Sequence, residues 1–331
     1  MGTAEAENDA VFQHESRYSI HTITADKLLE RRLSFGSRAL DAFTNGGIPL
    51  FPITEIAGEA GVGKTQLLMT LALSALIPPD LGGLGSGCLY ISTEGRVPLA
   101  RMKTFSQEND CFKDHLGEAA LEHIFVEDGI SDANALWILI RERVPQFLAS
   151  GLVKLVVIDS IASLFRGEFT GGPGAMQDRN DWFFGLASMM KRLSCEYDAY
   201  FVVANQVSFD PHLGKVKPAL GLAWSSCVNQ RLLLEFADPP CEMGAFLAPS
   251  HSNIENMTTK RRGRRRKLSV VFSPSLPCGV IYDSCFVESG GLTAQGYFED
   301  AEPSQSPLIA SVLTCSHESS ETEAPSEPES M

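Results

Sequence analysis

Apolar residues along this chain gather into short blocks separated by longer stretches of mixed character. The blocks at 88–92, 152–158 and 200–204 are apolar at nearly every position, and the block at 53–57 (ITEIA) at three of five. A strand with one face in water would alternate apolar and polar residues. A block with almost no polar phase predicts a strand buried on both faces, as in a parallel sheet covered by helices. Helical patterning falls between the blocks, at 66–77, 99–105, 131–150 and 180–197. Ser131 or Asp132 can cap the third of these helices. Pro145 is expected to kink or split it, because proline lacks the N–H that an interior turn uses. Pro78-Pro79 ends the first. A further strand is expected at 123–127. A short strand, a helix over 37–43 and an Asn45-Gly46-Gly47 turn precede the first block. Strands alternating with helices predict an α/β fold with a mostly parallel sheet and helices on both faces.

The pattern changes near residue 230. Blocks at 231–236, 267–272 and 280–287 follow one another without helices, which predicts an antiparallel C-terminal extension of the sheet. Between the first two, residues 237–266 form a polar stretch with a basic end, read as an inserted loop. Residues 1–32 read as an N-terminal tail and linker, 33–298 as the core, and 299–331, rich in Ser, Glu and Pro, as a disordered acidic tail.

Composition narrows the class. At 44% hydrophobic residues the 331-residue chain can bury a full core. Its net charge of −14 has the wrong sign for a protein that coats DNA with its whole surface. Eight acidic residues and no Lys or Arg lie beyond position 298, so more than half of that charge sits in the tail. A nucleic-acid surface would be a local patch. The eight cysteines are scattered singly, with no Cys-x-x-Cys pair and no zinc spacing, and read as reduced thiols. The N-terminus has neither the basic start nor the apolar stretch of a secretory signal, and Ala6 stands where myristoylation needs Ser or Thr. The longest apolar runs are too short to span a membrane.

The chemistry centres on Gly58-Glu59-Ala60-Gly61-Val62-Gly63-Lys64-Thr65, of the form G-x-x-x-x-G-K-[ST]. An expected strand leads in and an expected helix leads out. Glycines let backbone N–H groups approach phosphate oxygens, and the helix start adds a partial positive charge. Lys64 would reach the β- and γ-phosphates and Thr65 would give its hydroxyl to Mg²⁺. Asp159 ends the block at 152–158, from where a carboxylate can reach the water shell of Mg²⁺. Glu94 follows the block at 88–92, placed to polarise a water in line with the γ-phosphate. Gln206 follows the block at 200–204. Its amide is compatible with sensing the γ-phosphate or with satisfying loop backbone groups.

The runs LSFGSRALDAFTNGGIPLFPITEIAGEAGVGKTQLL, LYISTEG, LVVIDSIASLFRGEF and VVANQV, in that order, resemble the RecA-family core of eukaryotic and archaeal recombinases. VKPALGLAWSSCVNQRL and RKLSVVFSPSLP narrow the resemblance to a recombinase paralog. It covers about residues 33–292. The resemblance implies a RecA-like P-loop ATPase core that uses ATP and Mg²⁺. It makes Glu94 the water-activating carboxylate, Asp159 the metal-side aspartate, Arg101 the arginine that stacks on adenine, and Gln206 the link from γ-phosphate to a DNA-binding loop. It implies DNA-binding loops near 166–179 and 207–217, and a cap on a neighbouring subunit's ATP near 218–221. The family's helical N-terminal domain is absent or reduced to a stub, and its Phe-x-x-Ala joining motif aligns with Thr22-Ile23-Thr24-Ala25, which lacks the aromatic anchor. These departures favour a mediator in homologous-recombination repair, working in the nucleus with another RecA-like paralog, the main recombinase and single-stranded or branched DNA. They weigh against a self-polymerising strand-exchange recombinase. A subunit that holds ATP structurally is a third reading.

Arg166, Arg179, Lys215 and Lys217 are the phosphate-neutralising candidates on those loops. Phe169 and Phe209 are the only nearby rings, so no stacking platform for single strands is evident. The run at 260–267, KRRGRRRK, carries seven charges in eight residues. It is compatible with nuclear import, with DNA contact, or with a solvated loop.

Overall fold

The computed structural model describes residues 31–165, 173–210, 215–237, 264–279 and 281–294. The chain opens with strand β1 (Arg32–Leu33), helix α1 (Arg38–Phe43) and strand β2 (Ile48–Pro49), which pairs antiparallel with β1. Strand and helix then alternate. β3 (Ile53–Gly58) leads to α2 (Lys64–Leu76), and β4 (Gly87–Ser92) to α3 (Leu99–Glu108). β5 (Ile124–Glu127) leads to α4 (Ala133–Ile138) and α5 (Val144–Ala149), and β6 (Val153–Asp159) to α6 (Pro173–Tyr197). After β7 (Tyr200–Asp210), β8 (Lys215–Pro218) and α7 (Gly221–Ser225) come four strands: β9 (Gln230–Phe236), β10 (Arg266–Phe272), β11 (Ile281–Glu288) and β12 (Gly291–Ala294).

The main sheet runs β12-β11-β10-β9-β3-β7-β6-β4-β5. From β9 to β5 every pair is parallel, and β10, β11 and β12 continue it antiparallel. This is the architecture that the unbroken apolar blocks predict. Their residues divide by the period of two. Leu155, Val157, Val202 and Ala204 join the core beneath α2, while Val156, Ile158, Phe201 and Val203 join the core with Leu136, Phe183 and Trp224 on the other face. Each face is thus sealed by apolar contacts, and truncating one such Leu to Ala costs about 2–5 kcal/mol. No helix among the described residues is long and apolar enough to cross a membrane.

Several boundaries differ from the expected ones. α6 begins at Pro173, because proline's fixed φ suits the first turn and its missing N–H is not needed there. Arg179 therefore lies on a helix and not in a loop. Of the stretch expected as a second loop at 207–217, the described residues are paired: β7 runs on to Asp210, and Val207, Ser208, Phe209 and Asp210 pair antiparallel with Pro218, Lys217, Val216 and Lys215 as the arms of a hairpin, while 211–214 lie outside the described residues. Val207, Phe209 and Val216 favour the pleated backbone. The helix over 131–150 is split as Pro145 requires. A π-turn over Leu139–Arg143 joins α4 to α5, and Asp132 caps α4 by accepting from the Ala135 N–H at 2.7 Å. β10 starts at Arg266, a residue assigned above to the inserted loop, and β12 was not anticipated. The expectations for residues 1–30, 166–172, 238–263 and 295–331 lie outside the described residues, Arg166 and Thr22 to Ala25 among them.

Candidate nucleotide site

Parallel strands in register bring their C-terminal ends to one edge of the sheet, where α/β folds place their ligands. Here Gly58 pairs with Gln206 across β3 and β7, and Ser92 pairs with Asp159 across β4 and β6. Four separate segments thereby converge. A cavity of about 230 Å³ lies between them, lined by the glycine loop, Lys64, Thr65, Gln66, Glu94, Asp159, Ser160 and Gln206.

The loop from Gly58 to Gly63 has the shape its glycines allow. A Cβ at Gly58 would stand 2.4 Å from the Leu234 carbonyl oxygen, and Gly63 has a φ of +115°. Both positions exclude ordinary side chains. Nothing lies within 4 Å of where a Cβ would sit on Gly61, which leaves its backbone open to the cavity. Lys64 is the first residue of α2, and its ammonium donates to the carbonyls of Gly58 and Glu59, each at 2.8 Å. The loop is thus closed around a positive charge at a helix start, which suits a phosphate group.

Asp159 accepts from the Tyr90 hydroxyl at 2.8 Å and from the Thr65 hydroxyl. Burial pushes its carboxyl above the usual carboxylate range, and the nearby Glu94 adds to this. Thr65, Tyr90 and Lys64 pull the other way. Burial, followed by the charge of Asp159, pushes the Tyr90 phenol well up, so it stays a donor. Among the described residues no group of three or more His, Cys, Asp or Glu could hold a metal ion. Thr65 and Asp159 supply two oxygens, which fits Mg²⁺ shared with phosphate oxygens and water.

Glu94 is exposed at the cavity mouth. Its Oε1 accepts from Ser160 Oγ at 2.7 Å and from Gln206 Nε2 at 2.9 Å. Of the two roles left open for Gln206, saturation of loop backbone groups does not describe its amide, which points at the carboxylate. Arg101 does not line the cavity. Its Nε donates to Gln66 Oε1 at 3.2 Å, its Nη2 to the Glu288 carbonyl, and its guanidinium lies 4.6 Å from the centre of the Phe105 ring. It flanks the cavity through Gln66.

The basic candidates fall in different places. Lys215 and Lys217 are two residues apart on β8. The Arg179 guanidinium lies over the Phe183 ring at 5.6 Å, turned toward the core. The end of the run at 260–267 belongs to the fold. Lys267 pairs with Glu235 at 3.3 Å, and Arg264 stacks 3.8 Å from the Phe236 ring centre. Arg266 is buried, and its Nε donates to the Val62 carbonyl of the glycine loop.

Arg266, Ser160 and Tyr90 are site residues that sequence reasoning missed. Arg266 has a readable signal, for it stands in the alternating phase of Leu268 and Val270, the inward residues of β10. Ser160 directly follows the strand-end carboxylate. Tyr90 was hidden inside an apolar block.

A family model described as Rad51 matches residues 27–221. The DNA repair protein XRCC3 homolog of Arabidopsis thaliana is 32% identical over 275 residues, covering 75% of this chain and 88% of that protein. The DNA repair protein XRCC3 of Bos taurus is 36% identical over 260 residues, covering 75% and 70%. The DNA repair protein RAD51 homolog 2 of Mus musculus is 30% identical over 258 residues, covering 68% and 72%. The fold, the glycine loop and the strand-end residues agree with that match: the chain belongs to the Rad51 family.

Proposed function

We propose that this protein is an ATP-binding mediator of homologous recombination that acts in double-strand break repair beside another RecA-like paralog. The names of its relatives, DNA repair proteins of the XRCC3 and RAD51 kind, support the process. Gly58 to Thr65 would hold the phosphates, with Lys64 on the β- and γ-groups. Thr65 and Asp159 would hold Mg²⁺, and Arg101 would face the adenine. Bound ATP supplies a γ-phosphate, with the charge and the scissile bond that go with it. Glu94 orients and polarises the attacking water, giving weak hydrolysis stimulated by DNA. Gln206, at the base of the β7–β8 hairpin, passes the state of the site to Lys215 and Lys217, which contact single-stranded or branched DNA.

The observation that carries this reading is the bond from Gln206 to Glu94, which ties the hydrolytic carboxylate to the strand that becomes the hairpin. The missing aromatic at Thr22 favours mediator over self-polymerising recombinase, because an interface without its buried aromatic anchor loses most of its binding energy. The site of action is the nucleus, and the main recombinase is reached indirectly. Affinity purification of the tagged full-length protein with mass spectrometry, before and after DNA damage, tests this. A second RecA-like protein at equal stoichiometry is expected. Recovery of the chain only with itself, as long filaments in electron micrographs, would overturn it.

A further inference from the structure

On the sheet face opposite α2, a groove of about 310 Å³ is lined by Asn134, Trp137, Asp178, Asp181 and Trp182. It shares no residue with the nucleotide cavity. Asn134 and Trp137 stand one turn apart on α4. Asp178, Asp181, Trp182 and Gly185 recur at i, i+3, i+4 and i+7 on α6, so they form one stripe. The two indoles are in tilted contact, with ring centres 6.1 Å apart and planes inclined at 51°.

The groove is rigidly built. Trp182 meets Phe165 edge-on at 4.8 Å, Phe165 meets Phe183 at 4.7 Å, and Phe183 meets the fully buried Trp224 at 5.6 Å. A ladder of rings thus anchors the wall in the core. Gly185 completes it: a Cβ there would sit 2.8 Å from the Cη2 atom of Trp137, so only bare backbone lets that indole lie against α6. Asp181 accepts from the Gln177 amide at 3.0 Å, and no ion pair with Asp178 or Asp181 occurs among the described residues.

Two indole faces beside two carboxylates recognise a cation. A guanidinium suits them better than an ammonium, because it stacks flat on an aromatic ring while its edge donates to carboxylate oxygens. The same carboxylates repel a phosphate backbone. From this charge complementarity we propose that the groove docks an arginine-bearing segment of a partner protein.

Intrinsic fluorescence reads the groove directly. Of the three tryptophans two line it, and the third, Trp224, is fully buried. The full-length protein is titrated with a decapeptide of alternating arginine and glycine, and with the same peptide carrying citrulline for arginine. Saturable quenching by the arginine peptide is expected, with binding about tenfold weaker or worse for citrulline and for the Asp178→Asn/Asp181→Asn protein. Both carboxylates are exposed, so a thermal melt of that variant should match the parent. Equal affinity for the citrulline peptide or for the double variant would overturn the proposal. So would saturable quenching by a single-stranded oligonucleotide that the double variant loses, or self-association of the chain that it abolishes. The first would assign the groove to nucleic acid and the second to another copy of the protein.

Discussion

The Gln206 amide donates to the Glu94 carboxylate across 2.9 Å, joining β7, at the point where its pairing with β3 ends, to the segment that follows β4. The same Glu94 oxygen accepts the Ser160 hydroxyl, so the carboxylate is held from two strands at once. In Glu94→Gln the side-chain carbonyl can still accept both bonds, but the charge proposed to polarise water is gone. ATP affinity should stay within about threefold, while hydrolysis falls by about 10²-fold or more. Nucleotide titration and phosphate-release assays measure the two. An unchanged hydrolysis rate would remove Glu94 from its role.

Asp159 is a carboxylate whose charged form is disfavoured by burial. Burial holds its carboxyl above the ordinary range, so the folded chain keeps this proton to higher pH than the unfolded chain does. The contribution of this group to stability is therefore greatest below the ordinary carboxylate range and is lost as pH rises through the raised value. Asp159→Asn should raise the melting temperature of the nucleotide-free protein at neutral pH and flatten this part of its pH dependence. The parent should gain about 3 kcal/mol from Mg²⁺ and ATP at a hundredfold excess over Kd, and the variant should gain much less. Thermal melts with and without Mg²⁺ and ATP across pH check both signs.

Arg266 ties the C-terminal extension to the phosphate loop. Its guanidinium donates to the Val62 carbonyl from behind and packs beside Phe236, 5.4 Å from the ring centre. Removing a charged donor from a buried carbonyl costs about 1.5–3 kcal/mol. Arg266→Met should weaken ATP binding about tenfold, and Arg266→Lys should recover part of the loss. A fluorescent nucleotide titration measures this. Wild-type affinity in Arg266→Met would make the residue a packing element only.

A buried ion pair joins β3 to β9 within the sheet that carries the site. Glu55 on β3 is fully buried and accepts from Arg231, from Asn205 Nδ2 at 2.5 Å and from the Trp224 indole at 3.0 Å. Asn205 precedes Gln206, so the pair also positions β7 at that point. Arg231→Met would leave the Glu55 charge buried without its counterion and should cost about 3–5 kcal/mol. Trp224→Phe removes one hydrogen bond and should cost about 1–3 kcal/mol. Chemical denaturation orders the two.

The strand-end residues were legible in the sequence because each follows an apolar block, and parallel strands must bring such ends to one edge. Glu94, Asp159 and Gln206 are legible on that ground and Gly58 to Thr65 by its glycine-loop motif, and the structure gathers all of them. The hairpin was not legible. Lys215 and Lys217 are polar and close to the Pro211 to Gly214 stretch, so a short antiparallel return read as loop. Arg266 was obscured by the charges before it, which made a buried strand residue look like part of a solvated run. Glu55 and Arg231 lie on neighbouring strands whose pairing no local pattern announces. Arg101 is reached only through family resemblance: it meets Phe105 one turn along its own helix, but its contacts with Gln66 and the Glu288 carbonyl depend on tertiary packing.

The central claim is that Gln206 carries the state of the nucleotide site into the β7–β8 hairpin. Hydrogen–deuterium exchange of peptides spanning 207–218, with and without Mg²⁺ and ATP, tests it most directly. Nucleotide is expected to slow exchange in this hairpin, and Gln206→Ala to bind ATP with similar affinity while its hairpin exchanges at the nucleotide-free rate. A hairpin indifferent to ATP in the parent, or protected equally in Gln206→Ala, would contradict it.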